Sequence, residues 1–243
     1  MENVIEIKGL KKSFTGIEVL KGVTFSVQKG ENLVVIGKSG EGKSVTIQCL
    51  IGMMPPDEGS IQVFGQEISD QNEIQLKAIR EKVGFLFQQS ALYDSMTVRE
   101  NLAFPLQRVL KIKDPVVIQM RSEEALQSVG LSDAIDKMPS DLSGGQRKRM
   151  GLARTLIVRP EIILYDEPTT GLDTITSKEI SLLMMHIKAK YKSTSIIITH
   201  DMACAKITAD RIVIISDGKC YAEGTYTELE NSADPFISSF FKT

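Results

Sequence analysis

At 243 residues the chain is long enough to bury a sizeable core, and its 42% hydrophobic and 25% charged content is ordinary for a soluble globular protein. Lysine and arginine number 29 against 31 acids, a formal net charge of −2, so no general attraction to nucleic acid or anionic lipid is expected. Cys49, Cys204 and Cys220 are widely spaced and odd in number, which fits neither a disulfide framework nor a zinc-ligand spacing and points to a reducing compartment. The first residues, Met1–Glu6, carry acid early without a long apolar run, and no stretch approaches the roughly 20 apolar residues that cross a bilayer. The expected location is therefore cytoplasmic, with any membrane reached through a partner.

The first part of the chain reads as β-rich. Val4–Lys8, Val23–Gln28 and Asn32–Ile36 are predicted strands, with Gly16, Gly22 and Gly30 as turn points. Gly37–Ser44 opens a helix that runs to about Gly52, and Pro55–Gly59 leads into strand Ser60–Phe64. A helix at Asn72–Glu81 and a strand at Val83–Phe87 follow. Between about Gln88 and Pro160 the pattern becomes helical, at Thr97–Phe104, Pro115–Val129 and Gln146–Val158. Alternation then resumes with strand Ile162–Asp166, helix Ile175–Tyr191, strand Ser195–Thr199, helix Met202–Ala209 and strand Arg211–Ser216. Strands alternating with helices imply a parallel sheet with crossover helices. No repeat, linker or low-complexity tract interrupts this order, so one domain with a helical insert is the simplest organisation.

Gly37-Lys38-Ser39-Gly40-Glu41-Gly42-Lys43-Ser44 matches G-x-x-x-x-G-K-[ST] between a strand and a helix, the context that motif requires. Its glycines let main-chain N–H groups turn inward around a β-phosphate, and the helix adds its positive end to the same anion site. Lys43 is placed to reach the β- and γ-phosphates and Ser44 to bind Mg²⁺. The four fixed positions match by chance in roughly one chain of this length per hundred, so a mere glycine-rich turn is the weaker reading. Ile162–Tyr165 is an apolar strand ending in Asp166 and Glu167, and chemistry in parallel sheets gathers at such ends. Asp166 suits a Mg²⁺ role and Glu167 suits proton acceptance from an attacking water. Leu142-Ser143-Gly144-Gly145-Gln146 precedes a helix, with Ser143 as a good N-cap; taken alone it is a capped helix after a flexible turn.

The order of phosphate loop, Gln88, Leu142–Gln146, Asp166-Glu167, Gly171-Leu172-Asp173 and His200 resembles the nucleotide-binding subunit of ABC transporters, over about residues 4–224. That resemblance implies an α/β fold of the P-loop NTPase type, with a parallel core sheet, an N-terminal antiparallel β region and a helical insert. It implies a single domain over 1–243, a helical subdomain at about 89–160 and a short tail at 225–243. ATP and Mg²⁺ are the implied cofactor and metal, bound in a head-to-tail homodimer. Gly37, Ser39, Gly40, Glu41, Gly42, Lys43 and Ser44 would then surround the phosphates, and Ser44, Gln88 and Asp166 would serve the metal. Phe14 would stack on adenine, the alternative being a core phenylalanine at a strand end. Ser143, Gly144, Gly145 and Gln146 would meet the γ-phosphate across the dimer, and Asp173 would communicate between the two sites. Glu167, His200, Lys43 and Gln88 form the implied catalytic set, with His200 stabilising transition-state charge. His186, midway along a helix without a partner motif, is read as a plain helix residue. Val45 stands where many family members have threonine, so one α-phosphate contact worth about 1 kcal/mol is missing.

Within that family, Val83–Val98, Glu100–Leu106, Lys43-Ser44-Val45, Arg147–Arg154, Thr170–Ser177 and Asp234–Ile237 are similar to the ATPase of bacterial MCE-type lipid transporters. The resemblance implies a membrane permease partner, an MCE-domain lipid-binding protein and a place on the inner face of the cytoplasmic membrane. A small-solute importer ATPase shares the same engine. A cassette protein acting on ribosomes or DNA usually carries two cassettes or a long coiled coil, and this chain has one cassette and no sustained heptad run. Phe85, Phe87 and Tyr93 read as core or partner-groove residues, and Phe236, Phe240 and Phe241 leave the role of the tail open.

Overall fold

The computed structural model describes residues 2–69 and 73–242. The chain opens with an antiparallel hairpin, β1 (Asn3–Phe14) and β2 (Ile17–Gln28), turned at Thr15 and Gly16, both in the left-handed region with φ of 48° and 85°. Positive φ at both turn positions matches the right-handed twist of the strands. Both strands are longer than the two short ones expected from sequence. Gly22, expected as a turn, instead lies within β2 at φ 111°, and the register with β1 slips between Ile7 and Leu10. Gly22 therefore marks an irregularity inside one long strand, whereas Gly16 and Gly30 stand at turns as expected. β4 (Glu58–Val63) pairs with the other edge of β1, and β5 (Gln66–Glu67) with β4, giving the order β2-β1-β4-β5.

The second sheet has the order β10-β9-β3-β8-β7-β6. β3 (Asn32–Ile36), β6 (Val83–Leu86), β7 (Ile162–Asp166), β8 (Thr194–Ile198) and β9 (Arg211–Ser216) run parallel. β3, β7 and β8 are buried at every residue, as near-continuous apolar runs covered on both faces must be. Alternate residues feed two cores. Val34, Ile36, Ile163, Tyr165 and Ile197 face one side, while Leu33, Val35, Ile162, Leu164 and Ile196 face the other, towards β1, β2 and β4. β10 (Lys219–Gly224) returns antiparallel to β9 through Asp217 and Gly218, both at positive φ; the sequence reading had no strand there. The Asp-Gly pair is a hairpin signal, but β10 buries only alternate residues and only partly, so its hydrophobic pattern is faint.

The helices are α1 (Lys43–Leu50), α2 (Glu73–Arg80), α3 (Val98–Arg108), α4 (Pro115–Ser128), α5 (Gly144–Leu156), α6 (Thr174–Tyr191), α7 (Met202–Thr208), α8 (Tyr226–Glu230) and α9 (Pro235–Phe241). The expected start of α2 at Asn72 falls outside the described residues. α3 overruns its expected end at Phe104 and continues through Pro105, because Leu102 and Leu106, one turn apart, are both fully buried. Thr97 and Glu100 close its start with a reciprocal cap. In the tail, Tyr221 of β10 stacks edge-on against Phe236 at 4.8 Å between centroids, Phe236 against Phe240 at 5.3 Å, and the Tyr221 hydroxyl donates to Asp234 at 2.8 Å.

α5 lies unusually close to the end of β6. A Cβ on Gly151 would come within 2.8 Å of Leu86 Cδ1 and 2.9 Å of Ser90 Cβ. Overpacking a site that tight costs about 1–3 kcal/mol. Gly151→Val is expected to lower the thermal midpoint by several degrees, whereas Gly65→Ala, where a Cβ meets nothing within 4 Å and only the left-handed φ is strained, loses less; thermal unfolding followed by circular dichroism checks both.

Candidate nucleotide site at the strand ends

Four chain segments leave the carboxyl ends of adjacent parallel strands and converge. The phosphate loop follows β3, Gln88 stands two residues beyond the end of β6, Asp166 ends β7 with Glu167 next to it, and His200 stands two residues beyond the end of β8. The loop conformation demands its glycines. A Cβ on Gly37 would lie 2.5 Å from the Ile215 carbonyl oxygen, and one on Gly42, at φ 87°, would lie 2.4 Å from Leu20 Cδ2. α1 has no side-chain cap, whereas α3 to α9 are capped by Thr97, Asp114, Ser143, Asp173, Asp201, Thr225 and Asp234. Its first-turn N–H groups are thus left by the protein to an anion.

Lys43, on the first turn of α1, is buried and its Nζ donates back to the loop carbonyls of Gly37 at 2.8 Å and Lys38 at 2.9 Å. Burial pushes its ammonium below the usual lysine range, opposed by the charges of Glu167, Glu41 and Asp166. Ser44 Oγ donates to Asp166 Oδ1 at 3.0 Å. Burial raises the Asp166 carboxyl, and the bond from Ser44 partly restores it. Glu167 sits in the left-handed region at φ 51°, an uncommon conformation for a side chain of this kind. Its N–H donates to the Ile198 carbonyl at 2.9 Å, and its Oε2 lies 2.8 Å from His200 Nδ1 and accepts from Thr170 Oγ1 at 3.1 Å. The backbone twist turns Glu167 away from Asp166, so neighbouring acids serve different partners.

A cavity of about 650 Å³ joins Gly37, Ser39, Gly40, Gly42, Lys43, Ser44 and Val45 to Gln88, Glu167 and His200. Phe14 and Glu41 do not line it; Phe14 is 39% exposed at the end of β1 with Lys12 Nζ 5.8 Å from its ring centroid. Ser143 to Gln146 are elsewhere too. Ser143 and Gln146 cap α5 reciprocally, and Gly145 packs so closely on α6 that a Cβ would lie 2.7 Å from Thr176 Cγ2. Asp173 caps α6, accepting from Thr176 Oγ1 at 2.6 Å and from the N–H groups of Ile175 and Thr176; these bonds, the Thr176 hydroxyl foremost, hold its carboxyl below the usual range. Within one chain the Ser-Gly-Gly turn takes no part in the lining of the phosphate-loop cavity. Val19, Met202 and Phe240 also line the cavity, and Lys38 Nζ lies 5.6 Å from the Phe236 ring centroid. Val19 and Met202 lie in no motif and carry no sequence signal, while Phe236 and Phe240 belong to the tail whose role the sequence left open. Lys148 was missed as well: buried on α5, it donates to the carbonyl oxygens of Gln88 and, at 3.2 Å, of Glu167.

The donor set suits a small hard cation. Ser44 and Gln88 open on the cavity, the Asp166 carboxylate touches Ser44 Oγ without itself lining that cavity, and Mg²⁺ at phosphate sites takes one or two protein oxygens beside phosphate and water. Among the described residues no group of three or more His, Cys, Asp or Glu is placed to hold a metal without such help.

Parallel strands ending in a glycine-rich loop, a buried lysine and paired acids define a P-loop nucleoside-triphosphatase. The ABC transporter family profile matches residues 20–170. The chain is 39% identical over 236 residues to the "Probable ribonucleotide transport ATP-binding protein mkl" of Mycobacterium leprae (strain TN), covering 97% of this chain and 68% of that one. It is 38% identical over 240 residues to the methionine import ATP-binding protein MetN of Brucella abortus (strain 2308), covering 98% of this chain and 64% of that one. The chain thus spans about two thirds of the length of these relatives. The solved dimer of the ATP-binding cassette MJ0796 in a post-hydrolysis state, bound to ADP and Pi, superposes with a TM-score of 0.84 at 30% identity, over 91% of this chain and 98% of that one. The chain belongs to the ABC transporter ATP-binding family. Cassettes of this family bind ATP with Mg²⁺, hydrolyse it, dimerise and pair with membrane permease subunits. Among the described residues no helix is long and apolar enough to cross a membrane.

The raised Asp166 carboxyl sets a pH dependence. A group whose folded value lies above its ordinary value stabilises the fold while protonated, and that contribution is lost as pH rises through the folded value. Asp166→Asn is therefore expected to match or exceed the native thermal midpoint without nucleotide, with the gap widening from acid towards neutral pH; melting curves at several pH values read this directly.

Proposed function

We propose that this chain energises phospholipid transport between the membranes of a Gram-negative-type envelope, working on the inner face of the cytoplasmic membrane through a permease and an MCE-domain lipid-binding protein. The observation that carries this reading is the segment following β6. Its sequence, Gln88–Val98, is similar to that of MCE-type transport ATPases, and by that resemblance it would line the groove that receives a helix of the permease. Phe87 and Tyr93 remain 36% and 37% exposed there, with the Tyr93 ring held between Phe104, at 4.9 Å, and the Arg154 guanidinium, at 4.5 Å. A rigid aromatic edge of this kind suits recognition of a partner helix. The 38% identity to MetN supports a second reading, the motor of a small-solute importer.

In either case the chemistry has the same division of labour. The phosphates of ATP take the N–H groups of Gly37–Val45, and Lys43 leaves its loop carbonyls for the β- and γ-phosphates. Ser44, Asp166 and Gln88 would hold Mg²⁺, which when bound would supply charge neutralisation for the phosphates. Glu167 orients the attacking water and takes its proton, while Lys43 and His200 stabilise charge on the transferred group. Phe14 stacks on adenine, and Val45 omits one hydroxyl contact. Ser143, Gly144, Gly145 and Gln146 arrive from a second copy bound head to tail, and Asp173 links the two sites. That the Ser-Gly-Gly turn takes no part in lining the cavity of its own chain supports that dimer, because a phosphate loop alone is open to water.

Glu167→Gln is expected to slow turnover by roughly a hundredfold while sparing ATP binding; steady-state hydrolysis beside fluorescent-nucleotide titration measures both, and near-normal turnover removes Glu167 from its role. For the cargo, tagged protein purified from gently solubilised membranes is expected to bring down a multi-spanning permease with an MCE-domain protein. A solute-type permease with a binding protein overturns the lipid reading, and ribosomes or DNA-repair proteins overturn the transport reading.

A further inference from the structure

Lys148 is out of place as a structural residue. It lies one turn into α5 and is only 5% exposed, a costly place for a charge unless it is paired. Its neighbours on the same helix spend their charge differently: Arg147 donates to the Leu142 carbonyl at 2.7 Å, and Arg149 to the Val129 carbonyl and, at 2.9 Å, to Glu179. Lys148 instead reaches under the strand ends and donates to two main-chain carbonyls that no backbone ladder joins, those of Gln88 and Glu167. Burial pushes its ammonium below the usual lysine range, while the charges of Glu167 and Asp166 oppose that shift.

The position of those two carbonyls gives the contact its meaning. Glu167 holds an uncommon left-handed backbone conformation, with its N–H tied to Ile198 on one side and its carbonyl tied to Lys148 on the other. Gln88 begins the segment that leads to Tyr93, and α5 begins with the Ser143 turn. We infer that Lys148 is a positioning residue for hydrolysis: its ammonium clamps the main chains of Gln88 and Glu167 to the helix that carries Ser143, so that the acid is aligned only when all three segments are in register. The inference rests on the reading of Glu167 as the residue that handles the water. It also supplies a direct physical route by which a shift of α5, or of the segment after Gln88, reaches the carboxylate without contact with nucleotide.

The test uses the full-length chain with Lys148→Met, which keeps the length and removes the donor, and Lys148→Arg, which keeps charge and donors. Turnover, KM for ATP and the Kd for a fluorescent ATP analogue are measured at a temperature well below every variant's melting midpoint. The expected result for Lys148→Met is a fall in kcat of tenfold or more with KM and Kd within twofold of the native values, and recovery of at least half the native kcat in Lys148→Arg. A merely structural role would move the melting midpoint without this split. The inference is overturned if Lys148→Met keeps kcat within threefold of native, or loses nucleotide affinity in proportion to kcat. Should Lys148→Met fail to fold, Lys148→Gln, which can serve one carbonyl, is judged by the same split. Glu167→Gln assayed in parallel separates the two ideas: normal turnover there removes Glu167 whatever Lys148 does, whereas slow Glu167→Gln beside normal Lys148→Met removes Lys148 alone.

Discussion

Ser44 and Asp166 are 122 residues apart in the chain, and the 3.0 Å hydrogen bond between them depends on where β8 is inserted. β8 lies between β3 and β7 in parallel register, and Ile198 pairs with Val35 on one side and Asp166 on the other. The carboxyl ends of three strands are thereby level. The loop after β3, the acids after β7 and the histidine after β8 must then emerge at one height, within side-chain reach of each other. Shifting any one of these strands by a residue would also turn its alternating apolar set from one core to the other. The same burial that holds the register therefore holds the site.

The electrostatics of that meeting point are balanced by pairs. Lys43 and Lys148 are both buried, as is Asp166, and burial disfavours the charged form of each. The shifts of both lysines are opposed by the charges of Glu167 and Asp166, and that of Asp166 by both lysines. The two cations use main-chain carbonyls as further partners, Lys43 those of its own loop and Lys148 those of two distant segments. α1 meanwhile presents an uncapped end beside the pair. The protein thus concentrates positive potential on a glycine-rich loop beside two acids, an arrangement suited to a phosphate chain with a divalent cation.

What was legible in sequence follows from how local each signal is. The phosphate loop, the Ser143 cap and the apolar runs of β3, β7 and β8 are written in consecutive residues, so motif and burial pattern expose them. β10 was missed because a partly buried edge strand has little apolar content, and β1 and β2 were read as shorter because their glycines resemble turns when seen one strand at a time. Val19, Met202 and Phe240 belong to no motif, and Lys148, although inside the family-like run Arg147–Arg154, carries no sequence mark of its contacts. They reach the site from α5, β2, α7 and the tail, which only packing brings together. The Ser143 turn, expected to act across a dimer, lies outside the cavity of its own chain, whereas nothing in the sequence indicated that Phe14 does so too.

The sequence by itself determined the class of chemistry, because a phosphate-binding loop and a paired-acid strand end are short-range patterns whose residue types are dictated by backbone conformation and charge. It also determined that the strands alternate with helices, since hydrophobic period is a local property. Only the tertiary structure decided which strand ends are neighbours, which acid faces His200 and which faces Ser44, and that Lys148 joins Gln88 to Glu167. Those facts depend on strand order and on main-chain carbonyls, and a carbonyl is the same in every residue, so its partner leaves no mark in the sequence.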